Sequence, residues 1–242
     1  MNRALYAAAS GMAAQQENLD VIAGNLANAN VAGFKGVAER FAAVAAERGE
    51  ALGTTTLGAL PIFTQGKIVH SGSAFDVAIQ GDGFFTVMDG RGRIAYTRNG
   101  EFSRDAHGQL RNADGWHLCG VRIPADAISV QADAAGLVTA KTAHGSHPCG
   151  RIRLAQFPAP EHLQSAGGTL FFATAQSGKA SWVTAGKPDG PSIEFGAIEQ
   201  SNVSIVEAMM EILAAQRAYE ANAKGVQAAD EMMRIADNLS RA

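Results

Sequence analysis

His117 and Cys119, followed further along by His144, His147 and Cys149, are the side chains whose types and short spacings match a known chemistry. Imidazole and thiolate are the usual ligands of tetrahedral zinc. Pro148, flanked by Gly145 and Gly150, reads as a loop, and metal geometry is strict about where donors stand. The same two cysteines can close a Cys119–Cys149 disulfide in an oxidising compartment, or stand as two unrelated free thiols. Elsewhere Asp, Glu and His are scattered. The chain contains no nucleophile elbow, zincin helix, phosphate loop or dinucleotide fingerprint. Gly81-Asp82-Gly83 is too short to cradle a cofactor and reads as a hairpin turn. The sequence therefore assigns no catalytic, cofactor-binding or metal-binding residue, and the expectation is a protein that is not an enzyme and carries no cofactor.

With no chemistry to position, the informative elements are the two ends. Leu5, Ala8, Met12, Gln15, Leu19, Ile22 and Leu26 recur at three- and four-residue steps, which predicts a helix from Asn2 to about Asn28, ~40 Å long. Gly11 and Gly24 each cost about 1 kcal/mol in a helix interior, so the isolated segment is marginal in water. The run Ala7-Ala8-Ala9-Ser10-Gly11 suits close approach of a second backbone. Burying Leu5, Met12, Leu19, Ile22 and Leu26 at ~1.5–3 kcal/mol each outweighs both glycines.

A second helix is expected to begin near Ser201 or Asn202 as N-cap, with Glu207 in its first turn, and to continue ~55 Å to about Leu239. One stripe runs through Met209, Ile212, Gln216, Tyr219, Ala223, Val226 and Met233; another, on an adjacent face, runs through Val206, Met210, Leu213, Arg217 and Glu220. Two readings stand: the helices clasp each other within one molecule, or each also meets helices of neighbouring subunits.

Between the ends the period becomes two. Phe75, Val77 and Ile79 alternate with polar or small residues, as do Phe85 and Val87, and Asp82-Gly83, Asp89-Gly90, Asn99-Gly100 and Asp114-Gly115 can supply the positive φ of tight turns. Short strands continue to about Ala175, with Pro124, Pro148, Pro158 and Pro160 confining them to edges. The stretch from Gly36 to Leu60 reads mainly as a connector, in which Glu39 to Glu50 can form a short helix. The expected fold is α+β: long N- and C-terminal helices paired as a coiled-coil-like arm around an inserted antiparallel all-β domain. Its divisions are 1–35, 36–62, 63–197 and 198–242.

Composition narrows the function further. The 242 residues carry 20 Lys plus Arg against 23 Asp plus Glu, with no basic run, which argues against nucleic acid as a partner. The apolar stretches fall short of the ~20 residues of a membrane span, so no membrane insertion is expected. Arg3 followed by Leu5 to Ala14 imitates a signal peptide, but the periodic pattern runs on unbroken to Leu26. Taken alone, these features place the chain in the cytoplasm.

The motifs carry a resemblance. Asp20-Val21-Ile22-Ala23-Gly24-Asn25-Leu26-Ala27-Asn28 followed by Gly33-Phe34-Lys35 resembles the N-terminal motif of flagellar rod and hook proteins. Phe63-Thr64-Gln65-Gly66, Asp76-Val77-Ala78-Ile79, Gly81-Asp82-Gly83-Phe84-Phe85 and Tyr96-Thr97-Arg98-Asn99-Gly100 are similar to that family's central domain, and Ser201-Asn202-Val203 with Gln216-Arg217-Ala218-Tyr219-Glu220 to its C-terminal end. Val31 stands where the family usually has Thr, and the connector is shorter than in typical distal-rod proteins. The resemblance implies a rod subunit of distal type, with the proximal type as alternative and a non-flagellar β-domain binding module behind it. It replaces the cytoplasmic placement with export through the flagellar type III apparatus without a cleaved signal. Polymerisation into the periplasmic, torque-transmitting rod follows, with other rod and hook proteins and the surrounding rings as partners. The implied assembly interface is Leu5, Met12, Leu19, Ile22, Asn25, Leu26, Asn28, Phe34, Val206, Met209, Met210, Ile212, Leu213, Gln216, Tyr219, Val226 and Met233.

Overall fold

A computed structural model describes residues 3–45, 51–188 and 190–240. Helix α1 (Arg3–Ala27) is followed by strands β1 (Val37–Ala45) and β2 (Ala51–Pro61), and helix α2 (Ile205–Ser240) closes the chain. These elements form one unit, and residues 28–36 with 63–202 form a second, all-β unit. The α+β class is as the periodicities indicate; the expected helix start at Asn2 lies outside the described residues.

In the helical unit α1 and α2 run antiparallel, with Gly11 against Asn222 and Ala8 against Gly225. The seam buries Ile22 against Ala208 and Ala215, with Leu19, Leu26, Val203 and Ile212 packed around them. Ala208, Ala215 and Ala229 lie at heptad multiples along α2, and all three are buried. The α2 stripe inferred through Met209, Gln216 and Met233 is corrected here, because those three side chains are exposed. At 100° per residue the observed seam is rotated from it by about 60°. Alanines let the helix axes approach more closely than methionines would, so the small residues win the contact. The α2 cap is also corrected: Ser204, and not Ser201 or Asn202, accepts the Glu207 N–H at 3.3 Å.

The stretch read as a connector is an antiparallel hairpin, pairing Val37 with Pro61 and Val44 with Gly53. Residues 46–50 of the expected short helix lie outside the described residues, and its described part belongs to β1. Helix α1 supplies the reason. Ser10 Oγ accepts the Thr54 N–H at 3.1 Å, and the Thr56 hydroxyl donates to Glu17. The β-branched Thr54-Thr55-Thr56 run fits a strand lying on that helix, and this overrides the helical propensity of the alanines.

The β unit is organised around the hairpin of strands Phe84–Met88 and Ile94–Thr97, on whose far side Leu170–Phe172 adds. Alternation sends Phe85 and Val87 into a large core with Ile79, Leu110, Ile123, Val138, Ile152 and Leu154. Phe84 points the other way, into a second cluster with Tyr96, Phe157, Leu163 and Phe171. The other edge of Phe84–Met88 is shared. Val87 and Met88 pair with Leu118 and His117, while Phe84 and Phe85 pair with Ala155 and Leu154, so the sheet forks at Thr86. Two small ladders, Val77–Gln80 with Ser192–Phe195 and Ile68–His70 with Ala197–Glu199, complete the unit. Of the four Asx-Gly turns, Gly83 and Gly115 have positive φ, whereas Gly90 and Gly100 do not. Gly100 is required for a different reason: a Cβ there would collide with the Val77 carbonyl.

Candidate assembly surface and its anchor

The histidine and cysteine cluster does not assemble. Cys119 lies on strand His117–Arg122 and Cys149 on strand Gly145–Arg151, both as free thiols, so of the two readings left open the structure has the unpaired one. The loop reading of Gly145 to Gly150 is corrected too, since this segment pairs with Leu137–Thr142. Among the described residues no three His, Cys, Asp or Glu side chains come together as a metal site. His117 Nε2 instead stands 3.3 Å from the Asp105 carboxylate. Backbone N–H bonds from Gln109 and His107 hold that carboxyl below its ordinary range. Burial pushes the Cys119 thiol up, away from thiolate chemistry.

What the helical unit offers is a surface. Ile22 is buried, and Leu5, Met12, Leu19, Asn25, Leu26, Ile212 and Val226 are half-buried; Val206, Met209, Met210, Leu213, Gln216, Tyr219 and Met233 are exposed. Val206 is 67% exposed, Met210 58% and Leu213 55%, and by helical phase they lie opposite the alanine seam. Met232, Ile235 and Leu239 continue this outward side at the far end of α2, at 60, 55 and 74% exposure. Arg217, Glu220, Lys224 and Glu231 separate the two apolar ends. Thus the larger apolar side chains of α2 face outward while its small ones touch α1.

Asn25 acts within this unit. Its Oδ1 accepts the Val37 N–H at 2.9 Å and its Nδ2 donates to the Val37 carbonyl at 2.7 Å, so a side-chain amide completes the ladder where β1 begins. Asn28 and Phe34, read with the helical arm, belong to the β unit instead.

The residues that sequence reasoning missed are in the β unit. Lys35 Nζ lies 2.6 Å from Glu199 Oε1 and donates to the Thr64 carbonyl at 2.7 Å. Arg98 Nη1 stands 3.4 Å from Glu199 Oε2, and its Nη2 donates to the Gly81 carbonyl at 2.9 Å. The Gly66 N–H adds a bond to Glu199 Oε1 at 2.8 Å. All three charged side chains are enclosed: Lys35 and Arg98 are 2% exposed and Glu199 0%. Burial pushes the Lys35 ammonium below its ordinary value, with Glu199 opposing, and acts on the Arg98 guanidinium in the same direction. Around this cluster Asn202 Oδ1 accepts the Gly36 N–H at 2.7 Å and the Gly33 N–H donates to the Glu199 carbonyl at 2.7 Å. Gly33 has φ +66, and a Cβ on it would collide with the Arg98–Asn99 backbone. Lys35 closes the Gly33-Phe34-Lys35 motif and Arg98 lies within Tyr96-Thr97-Arg98-Asn99-Gly100; Glu199 lies just ahead of Ser201-Asn202-Val203 and outside every motif, so the sequence gives no signal for it.

Three family models match. Residues 5–35 match the flagella basal body rod protein model, 78–140 the D1 domain of the flagellar hook protein FlgE/F/G, and 196–239 the C-terminal model of the flagellar basal body rod FlgEFG protein. Among curated proteins, the flagellar basal-body rod protein FlgG of Borreliella burgdorferi is 37% identical over 100% of both chains. That of Bacillus subtilis is 34% identical, again over 100% of both. The chain belongs to the flagellar basal-body rod and hook family. The flagellar hook protein FlgE of Salmonella typhimurium is 40% identical over 47% of this chain and 28% of its own length. The three matched segments of this rod and hook family member contribute one member each to the buried ion cluster: Lys35, Arg98 and Glu199.

Proposed function

We propose that the chain is a structural subunit of the flagellar rod, of the distal type, that polymerises through its terminal helices. The observation that carries this reading is the outward face of α2, where Val206, Met209, Met210 and Leu213 stand more than half exposed. Each contributes ~1.5–3 kcal/mol when covered, and spaced at i, i+3, i+4 and i+7 they form one contiguous apolar patch, which marks an interaction site. The occupant is a second copy. With unlike patches at the two ends of α2, a contact from one end to the other is heterologous and extends into a helical polymer without closing. The interface then comprises the residues inferred above, with Leu5, Met12, Leu19, Ile22, Asn25 and Leu26 building the arm. Val206, Met209, Met210, Ile212, Leu213, Gln216, Tyr219, Val226 and Met233 present or support its outer surface, and Asn28 and Phe34 set the chain's turn into the β unit.

Such a polymer is the periplasmic shaft that passes torque to the hook. Its other partners are rod and hook proteins, the surrounding rings, and the type III apparatus that exports the chain without a cleaved signal. The role is packing, with no catalysis. The distal type is favoured by the Phe63-Thr64-Gln65-Gly66 and Gln216-Arg217-Ala218-Tyr219-Glu220 motifs and by the full-length likeness to FlgG proteins. The proximal type is the alternative, separated by where the chain lies in isolated basal bodies.

The test is the double variant Met210→Glu, Leu213→Glu. The monomer's far-UV and tryptophan signals should stay unchanged, while rods fail to extend in basal bodies and swimming is lost. Normal rods and swimming in that variant overturn the proposal.

A further inference from the structure

The fork in the central sheet opens a cavity of about 320 Å³, lined by Thr86, Cys119, Gly120, Arg151, Arg153 and Trp182. Three features distinguish it from a packing defect. First, its charge is uncompensated. Arg151 and Arg153 are exposed and no carboxylate lines the cavity, and among the described residues neither guanidinium has a hydrogen-bond or ion-pair partner. Of the other arginines of this unit, four are engaged: Arg93 with Asp89 at 2.7 Å, Arg98 with Glu199, Arg104 with the Pro124 carbonyl and Arg122 with the His107 carbonyl. Second, Trp182 is 55% exposed, while the chain's other tryptophan, Trp116, is 9% exposed. Among the described residues strand Ser181–Val183 pairs only with Leu154–Gln156, and Trp182 sits opposite Ala155, in the middle of the short ladder beside the fork. Third, Thr86 is 3% exposed, yet its Oγ1 has no partner among the described residues. A buried hydroxyl left unpaired costs free energy unless something else satisfies it.

These groups specify a ligand. Paired guanidinium groups select an oxyanion, and a carboxylate matches their planar fork. A flat, half-exposed indole offers a stacking face for an apolar ring surface, and a free hydroxyl asks for a partner that both donates and accepts. The volume falls at the lower end of small-molecule sites, enough for one ring and its substituents. We propose that this cavity binds an acidic saccharide. Its carboxylate lies between Arg151 and Arg153, its ring face lies on Trp182, and a ring hydroxyl turns toward Thr86. The cavity lies wholly within the β unit and uses none of the helical surface. A peptide of acidic residues alone would satisfy the arginines, and its backbone could reach the Thr86 hydroxyl, but it brings no ring face to the indole.

The experiment titrates the full-length monomer with three probes: a disaccharide of glucuronic acid and N-acetylglucosamine, its neutral glucose counterpart, and triglutamate. Binding is followed by tryptophan fluorescence and by calorimetry. The acidic disaccharide should give a saturable signal, with the neutral one at least about tenfold weaker and triglutamate weaker still. Arg151→Gln with Arg153→Gln should lose about tenfold in affinity with unchanged far-UV signal. Trp182→Phe should remove the fluorescence response and weaken the calorimetric one. Equal binding of the neutral disaccharide, tighter binding of triglutamate, or no saturable response to any probe overturns the proposal.

Discussion

In the β unit Ile79, Phe85, Leu110 and Leu154 are fully enclosed, whereas in the helical unit Val206, Met209, Met210 and Leu213 are more than half exposed. The same contrast holds for polar groups. The β unit takes Lys35, Arg98 and Glu199 out of water and satisfies Glu199 with three partners, while on α2 Glu207, Glu211, Arg217, Glu220, Lys224, Asp230, Glu231 and Arg234 stay exposed. A unit that buries its bulk and its charges has no need of a neighbour. A helix pair that buries alanines and displays methionines leaves the larger apolar side chains at the two ends of α2 still to cover. The difference separates what folds from what assembles.

Glu199→Gln is the strongest way to break that contrast. It leaves Lys35 and Arg98 buried beside a neutral amide, a loss of ~3–5 kcal/mol for a broken buried pair. Both tryptophans lie in the β unit, so their fluorescence reports its unfolding while ellipticity at helical wavelengths follows α1 and α2. The urea midpoint read by fluorescence should fall sharply. If it does not move, the cluster is not what closes the β unit. Ala215→Leu probes the other side. Ala215 is 4% exposed against Ile22, and a larger side chain there should force the helices apart at ~1–3 kcal/mol, lowering helical ellipticity and sparing the fluorescence transition. Leu213→Ala, on the outward face, should change neither signal in the monomer.

The parts of this division that were legible in the sequence are those written in periodicity. The three- and four-residue steps from Leu5 to Leu26 mark α1, and alternation around Val77, Phe85 and Val87 marks the β core. The rotation of the α2 seam was not legible, because a stripe search weights Met209 and Met233 above Ala208, Ala215 and Ala229, while close helix approach favours the smaller residues. The hairpin of β1 and β2 was hidden for a related reason: its alanines favour a helix locally, and only contacts from Ser10 and Glu17 of α1 select the strand. Glu199 could not be found at all from the chain alone. Its role depends on Lys35 and Arg98, which are distant in sequence and meet it only through tertiary folding.

The smallest expected effect sharpens the helical side of the comparison. Gly11 and Gly24 both lie inside α1, and propensity alone would credit alanine with about 1 kcal/mol at either position. Their surroundings differ. A Cβ at Gly24 meets nothing within 4 Å, whereas one at Gly11 comes within 2.9 Å of Asn222 Nδ2 and 3.2 Å of its Cγ, so the amide must shift. Gly24→Ala should therefore raise the thermal midpoint of helical ellipticity by the few degrees that ~1 kcal/mol confers, with the tryptophan transition unmoved. Gly11→Ala should gain less or lose, because crowding at the seam offsets the propensity. Equal gains at both positions would mean that α2 does not press against Gly11 in solution, and that the helices stay looser until a neighbouring copy closes them.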